Sequence, residues 1–100
     1  MQKQYLIEQT INSSDQQVFI VYDDPIMESA MEVLEKFNQT NVVILKGKGK
    51  TIPVAVAIAN IIESNFLKGN SKIKKIQLDS EIPDDGRMIS NIEITLEKNN

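Results

Sequence analysis

Apolar and polar positions along the chain fall into runs that alternate between strand and helix character. Val18-Phe19-Ile20-Val21-Tyr22 is a continuous β-prone run of strand length. Asp24-Pro25 then predicts a helix start, with the Asp carboxylate expected to accept from free amides and Pro suited to the first helical position. The helix that follows sets Ile26, Ala30, Val33, Leu34 and Phe37 on one face and Glu28, Glu32 and Glu35 toward the other. Asn41-Val42-Val43-Ile44-Leu45 is a second buried-type strand, and it runs into Lys46-Gly47-Lys48-Gly49-Lys50. Thr51 is expected to cap a second helix, with Pro53 tolerated in its first turn. Over residues 52–62 only Asn60 and the ring of Pro53 interrupt an aliphatic surface. A helix apolar nearly all round buries more than one face. One face covers a sheet, and the other calls for a partner subunit, with Ile58 and Ile62 as candidate interface residues. The helix ends near Phe66-Leu67, where Gly69-Asn70 supplies the stop.

Two strands close the chain. Ile76, Leu78 and Ile82 alternate with Gln77, Asp79 and Glu81, and Ile92, Ile94 and Leu96 alternate with Glu93, Thr95 and Glu97. Each strand is expected to have one wet face and one buried face. Pro83-Asp84-Asp85-Gly86 between them is a hairpin turn. The order is β-α-β-α-β-β, an α+β fold in two layers with both helices on one face of a mixed four-stranded sheet. Residues 1–16, rich in Gln, Asn and Ser, are read as a polar N-terminal tail, and residues 17–100 as a single domain.

At 100 residues and 41% hydrophobic content the chain has room for one modest core, so a shared subunit interface would help its stability. Cysteine and histidine are both absent, which removes disulfides, thiolate metal sites and the commonest general base. The first residues lack the layout of a secretory signal, and the apolar run at 52–62 falls far short of the ~20 residues of a bilayer span. A cytoplasmic, soluble protein is expected, with no membrane contact.

The formal net charge is -3, but it is unevenly spread. Residues 46–75 hold seven lysines against Glu63 alone, a basic island in an acidic chain. Local potential decides which partner a patch attracts. The sharpest feature of the island is Lys46-Gly47-Lys48-Gly49-Lys50-Thr51, at a strand-to-helix junction. Gly49-Lys50-Thr51 looks like the end of a phosphate-binding P-loop, but the pattern needs a glycine where Ile44 stands, and a dinucleotide fingerprint needs one at Ile52. What remains is a loop of three alternating cations beside a helix start, an arrangement that attracts phosphate without fixing which one. Asp24 is explained by capping and Asp84-Asp85 by the turn, so neither acid pair is read as catalytic or metal-binding.

With these elements in order, residues 18–98 resemble the Alba family of archaeal chromatin and RNA-binding proteins, which has eukaryotic relatives. Asp24-Pro25-Ile26-Met27 falls where that family has a Pro-x-Met helix start. The stretch from Val43 through Ile52 resembles its basic loop, Ala55-Val56 and Asn65-Phe66-Leu67 follow at the family's distances, and Ile89-Ser90-Asn91-Ile92-Glu93-Ile94 resembles its closing strand. The resemblance implies a dimer that grips DNA or RNA through the central basic loop while two hairpin arms reach along the groove. By position, Lys46, Lys48, Gly49 and Lys50 would meet phosphate, Arg87 would sit at the arm tip, and Phe66 would lie in a contact between subunits or dimers. The chain departs from the family where Asp23 and Asp24 replace a Lys-Lys pair, where Glu63 and Asn65 stand in for arginines, and where Asp84 and Asp85 make the hairpin acidic. Each change removes positive charge from, or adds negative charge to, a phosphate path and implies weaker binding.

The leading expectation is therefore low-specificity binding of DNA or RNA by a homodimer or a heterodimer with an Alba paralogue. The alternative is an Alba-like interaction or scaffold subunit, acting beside a more basic paralogue or inside a ribonucleoprotein. An enzyme is disfavoured, and no catalytic residue, metal or cofactor is expected.

Overall fold

The computed structural model describes residues 16–99. Apart from Gln16, the tail expected over residues 1–16 lies outside the described residues. Strands β1 (Gln16–Ile20), β2 (Val42–Lys48), β3 (Ser71–Glu81) and β4 (Ile89–Lys98) and helices α1 (Ile26–Lys36) and α2 (Ile52–Ile61) follow the expected order. The sheet runs β1-β2-β4-β3, with β1 parallel to β2 and the other pairs antiparallel. A one-residue turn cannot join parallel neighbours, so α1 makes the crossover from β1 to β2.

The core lies between the sheet and the two helices, and the pleat selects its members. Val43, Leu45 and Gly47 of β2 face Leu96, Ile94 and Ile92 of β4 across the ladder, and all six are buried. The helices answer at their own period: Ala30, Val33 and Phe37 from the α1 side, and Ala55, Ile58, Ala59 and Ile62 from the α2 side. Fully burying an aliphatic side chain of this size contributes about 1.5–3 kcal/mol. Gly47 matters for a steric reason. A Cβ there would lie 3.0 Å from the Thr51 carbonyl oxygen and 3.2 Å from the Ala55 Cβ, so α2 could not seat this closely over a larger residue.

Several local expectations are corrected. The basic segment is not wholly a loop, because β2 continues to Lys48 and only Gly49–Thr51 forms a 3-10 turn. Gly49, at φ +56°, makes that turn in the left-handed region that glycine enters freely. The Thr51 side chain does not cap α2, although the residue stands at the expected N-cap position. Its hydroxyl looks backward instead, accepting from the Lys48 N–H at 2.8 Å and donating to the Lys48 carbonyl at 2.9 Å. Asp24 does not cap α1 either, since the N-cap is Pro25 and Asp24 lies one residue too early to reach the free amides. At the other end of α1 the Lys98 ammonium donates to the Phe37 carbonyl at 2.7 Å, which satisfies a terminal acceptor.

The largest correction concerns the arm. Ile76 and Leu78 continue the inward face by register, opposite Ile94 and Ile92, but they are 57% and 67% exposed. The helices cover β2 and β4 and stop short of edge strand β3. The second helix closes in a π turn (Ile62–Phe66), and Gly69, at φ +80°, ends it as expected.

Candidate nucleic-acid interface

The pleat of β2 determines where its lysines go. Lys46 and Lys48 are two residues apart, so both project from the face of the sheet opposite the helices, on the same side as Val42 and Ile44. Between them Gly47 turns inward under α2. Lys50 stands on the 3-10 turn, and the double hydrogen bond between Thr51 and Lys48 ties that turn to the end of the strand. A Cβ at Gly49 would meet nothing within 4 Å, so open space surrounds this backbone between Lys48 and Lys50. The structure thus brings Lys46, Lys48, Gly49 and Lys50 together at one end of β2.

Beyond that end the hairpin continues. The last rows, Ser80 opposite Ser90 and Glu81 opposite Ile89, extend past the Lys48–Asn91 row where β2 stops. Arg87 lies in the connecting segment, highly exposed, and both its backbone N–H and its guanidinium Nε donate to Asp85, at 3.1 and 3.0 Å. Gly86, at φ +82°, closes the turn with an N–H bond to the Pro83 carbonyl at 2.9 Å.

Every cation of the candidate site has an acidic neighbour. Lys46 Nζ lies 3.6 Å from Glu93, Lys48 Nζ 3.2 Å from Glu81, and Lys50 Nζ 3.8 Å from Asp23. All of these pairs are solvent-exposed, and such pairs contribute only about 0.2–1 kcal/mol each. Glu81 and Glu93 are the residues that sequence reasoning missed. Glu93 stands directly opposite Lys46 on β4, and Glu81 reaches Lys48 diagonally past Asn91, so both contacts depend on strand register. Period-two alternation alone fixes the face of each side chain and leaves the register open.

A second group of lysines lies at the other end of β3. Lys72 and Lys74 share Glu97, at 3.6 and 3.8 Å, whereas Lys68 and Lys75 have no ion pair among the described residues. The register shift between Ile73 and Lys75 brings Lys74 beside Lys75 along a shallow concavity of about 450 Å³ on the helix-free face. Among the described residues, no group of three or more acids is placed to hold a metal ion. No helix among them is long and apolar enough to cross a membrane.

The candidate interface residues separate into two kinds. Ile58 and Ile62 are 0% exposed within the subunit's own core, so neither is free to touch a partner, and their assignment to an interface is corrected. The i, i+4 spacing put them on the face that α2 turns toward the sheet. Phe66, on the π turn, remains 37% exposed.

These elements define a two-layer domain with a mixed sheet, a cationic strand end and a hairpin extending past it. Residues 16–80 match the sequence profile of the family described as Alba. The chain is 34% identical over 89 residues to the DNA/RNA-binding protein Alba of Thermoplasma volcanium, which covers 85% of this chain and 99% of that protein. It is 36% identical over 80 residues to the protein of the same name from Nanoarchaeum equitans, covering 74% of this chain and 89% of the other. Among solved structures, Alba from Thermoplasma volcanium superimposes with a TM-score of 0.71 at 35% identity, covering 81% of this chain and 99% of its own. ALBA1 from Trypanosoma brucei shares the fold, with a TM-score of 0.65 at 15% identity over 87% of this chain and 71% of that one. The chain belongs to the Alba family.

Proposed function

We propose that this chain binds DNA or RNA with little sequence preference, as a dimer, through phosphate contacts made by Lys46, Lys48 and Lys50. One observation carries the reading. A rigid strand presents Lys46 and Lys48 on one face at the base of a hairpin, and a tied turn adds Lys50 beside open backbone at Gly49. Relatives named DNA/RNA-binding protein Alba support the ligand class. Phosphate contacts position a nucleic acid without reading its bases, and three lysines on a strand end offer little for base-edge recognition. Arg87 extends the cationic surface along the arm.

The dimer contact in this reading uses Phe66 with Ile76 and Leu78, which are large, apolar and open to solvent, in place of Ile58 and Ile62. The second subunit is an identical chain or an Alba paralogue.

A scaffold role, with nucleic-acid binding weakened, is favoured by the carboxylates facing each site lysine. Titration of duplex DNA and of a structured RNA against a range of salt concentrations separates the two. Binding that weakens steeply with salt supports the first reading, and absence of binding at low salt supports the scaffold.

A further inference from the structure

A carboxylate oxygen 3–4 Å from an ammonium takes up space that a phosphate oxygen would enter, with the same sign of charge and the same acceptor chemistry. That is the position of Glu93 beside Lys46 and of Glu81 beside Lys48. Both acids are anchored on strands, Glu93 on β4 and Glu81 at the foot of the hairpin. The amide of Asn91, which stands opposite Lys48 on the intervening strand, also donates to the Glu81 carboxylate at 3.4 Å. Neither acid is needed by the core, because both lie on the helix-free face.

We propose that Glu81 and Glu93 are affinity-setting residues, internal counter-ions that hold the phosphate positions of Lys46 and Lys48 and must be displaced when a nucleic-acid backbone binds. The proposal rests on the phosphate-binding reading of those lysines. An exposed pair shifts an equilibrium by no more than about fivefold, so phosphate can displace these carboxylates. They cannot move far, however, and each leaves a negative charge beside the bound backbone. Low affinity is thereby built into the same sheet face that carries the lysines. It does not come only from the acids near the first helix.

The test compares three variants of the full chain against a 20-base-pair duplex DNA at several salt concentrations. E81Q/E93Q keeps the size and hydrogen-bonding capacity of both side chains and removes their charge. It is expected to bind about tenfold more tightly at low salt. Its log–log salt slope should steepen toward the full value of about 0.9 per lysine, as Lys46 and Lys48 are freed from their carboxylates. E28Q/E32Q makes the same change in net charge on exposed α1 residues that have no ion pair among the described residues. It should change affinity by about twofold or less, a long-range effect that salt screens, with the slope unaltered. K46A/K48A reports on the underlying reading. Thermal melting of each variant checks that folding is intact. If E81Q/E93Q tightens binding no more than E28Q/E32Q while K46A/K48A loses binding, the proposal fails and the phosphate-binding reading stands. If K46A/K48A binds like the wild type, the lysines are not the site and both fail. No binding by the wild type at low salt overturns the phosphate-binding reading, and the proposal with it.

Discussion

Gly47 of β2 and Ala55 of α2 are packed so closely that a Cβ added to the glycine would lie 3.2 Å from the alanine's own Cβ. The same Cβ would lie 3.0 Å from the Thr51 carbonyl oxygen, in backbone that the Lys48–Thr51 hydrogen bonds hold in place. The glycine between the two lysines therefore serves the helix above it, while the lysines serve the opposite face.

Replacing Gly47 with valine is expected to destabilise the fold by about 1–3 kcal/mol, the usual result of overpacking a tight contact. Urea unfolding monitored by circular dichroism measures it. A midpoint equal to that of the wild type would mean that the seating of α2 over β2 is looser than these distances.

Ile58→Ala should lower stability by about 2–5 kcal/mol, because it opens a cavity in the core between the helices and the sheet. The loss should persist at protein concentrations high enough to saturate any association. A destabilisation that vanished on raising the concentration would return Ile58 to a subunit interface.

The fold was readable from the chain in all but its edges, and the errors share a cause. Alternation placed Ile92, Ile94 and Leu96 inward correctly because α2 lies over β4. The same pattern failed for Ile76 and Leu78, because no periodicity records how far a helix extends across a sheet. The lysines were legible as a group, since Lys-Gly-Lys-Gly-Lys is a local signal. Their acidic partners were not, since Glu81 and Glu93 meet them only through strand register. Thr51 misled for another reason: Ser or Thr before a helix suggests a cap, and here an inserted 3-10 turn redirects the hydroxyl to Lys48.

The exposed pair Ile76 and Leu78 gives the dimer its own test. Substituting both with serine removes apolar surface from an edge strand without opening the core, so the subunit should stay folded. Sedimentation at micromolar concentration should show a dimer for the wild type and a monomer for the variant. A wild-type monomer, or a variant that remains fully dimeric, would place the contact elsewhere.

Asp23 and Asp24 lie at the rim, with Asp23 3.8 Å from Lys50. Changing both to lysine frees Lys50 and replaces repulsion with attraction, so binding to duplex nucleic acid should tighten by roughly tenfold at low salt. Fluorescence anisotropy with a labelled duplex gives the comparison. Equal affinities would mean that the start of α1 faces away from the ligand.

The central claim is that Lys46, Lys48 and Lys50 carry the phosphate contacts, and the salt dependence of binding tests it most directly. For a dimer presenting three lysines per subunit, the log–log slope on duplex DNA should approach, without reaching, about -5, because Glu81, Glu93 and Asp23 hold part of that charge. The K46A/K48A/K50A variant should keep its fold, lose most of that slope and weaken on all sequences alike, as phosphate contacts require. An unchanged slope in the triple variant would contradict the account and move the site to Lys72, Lys74 and Lys75.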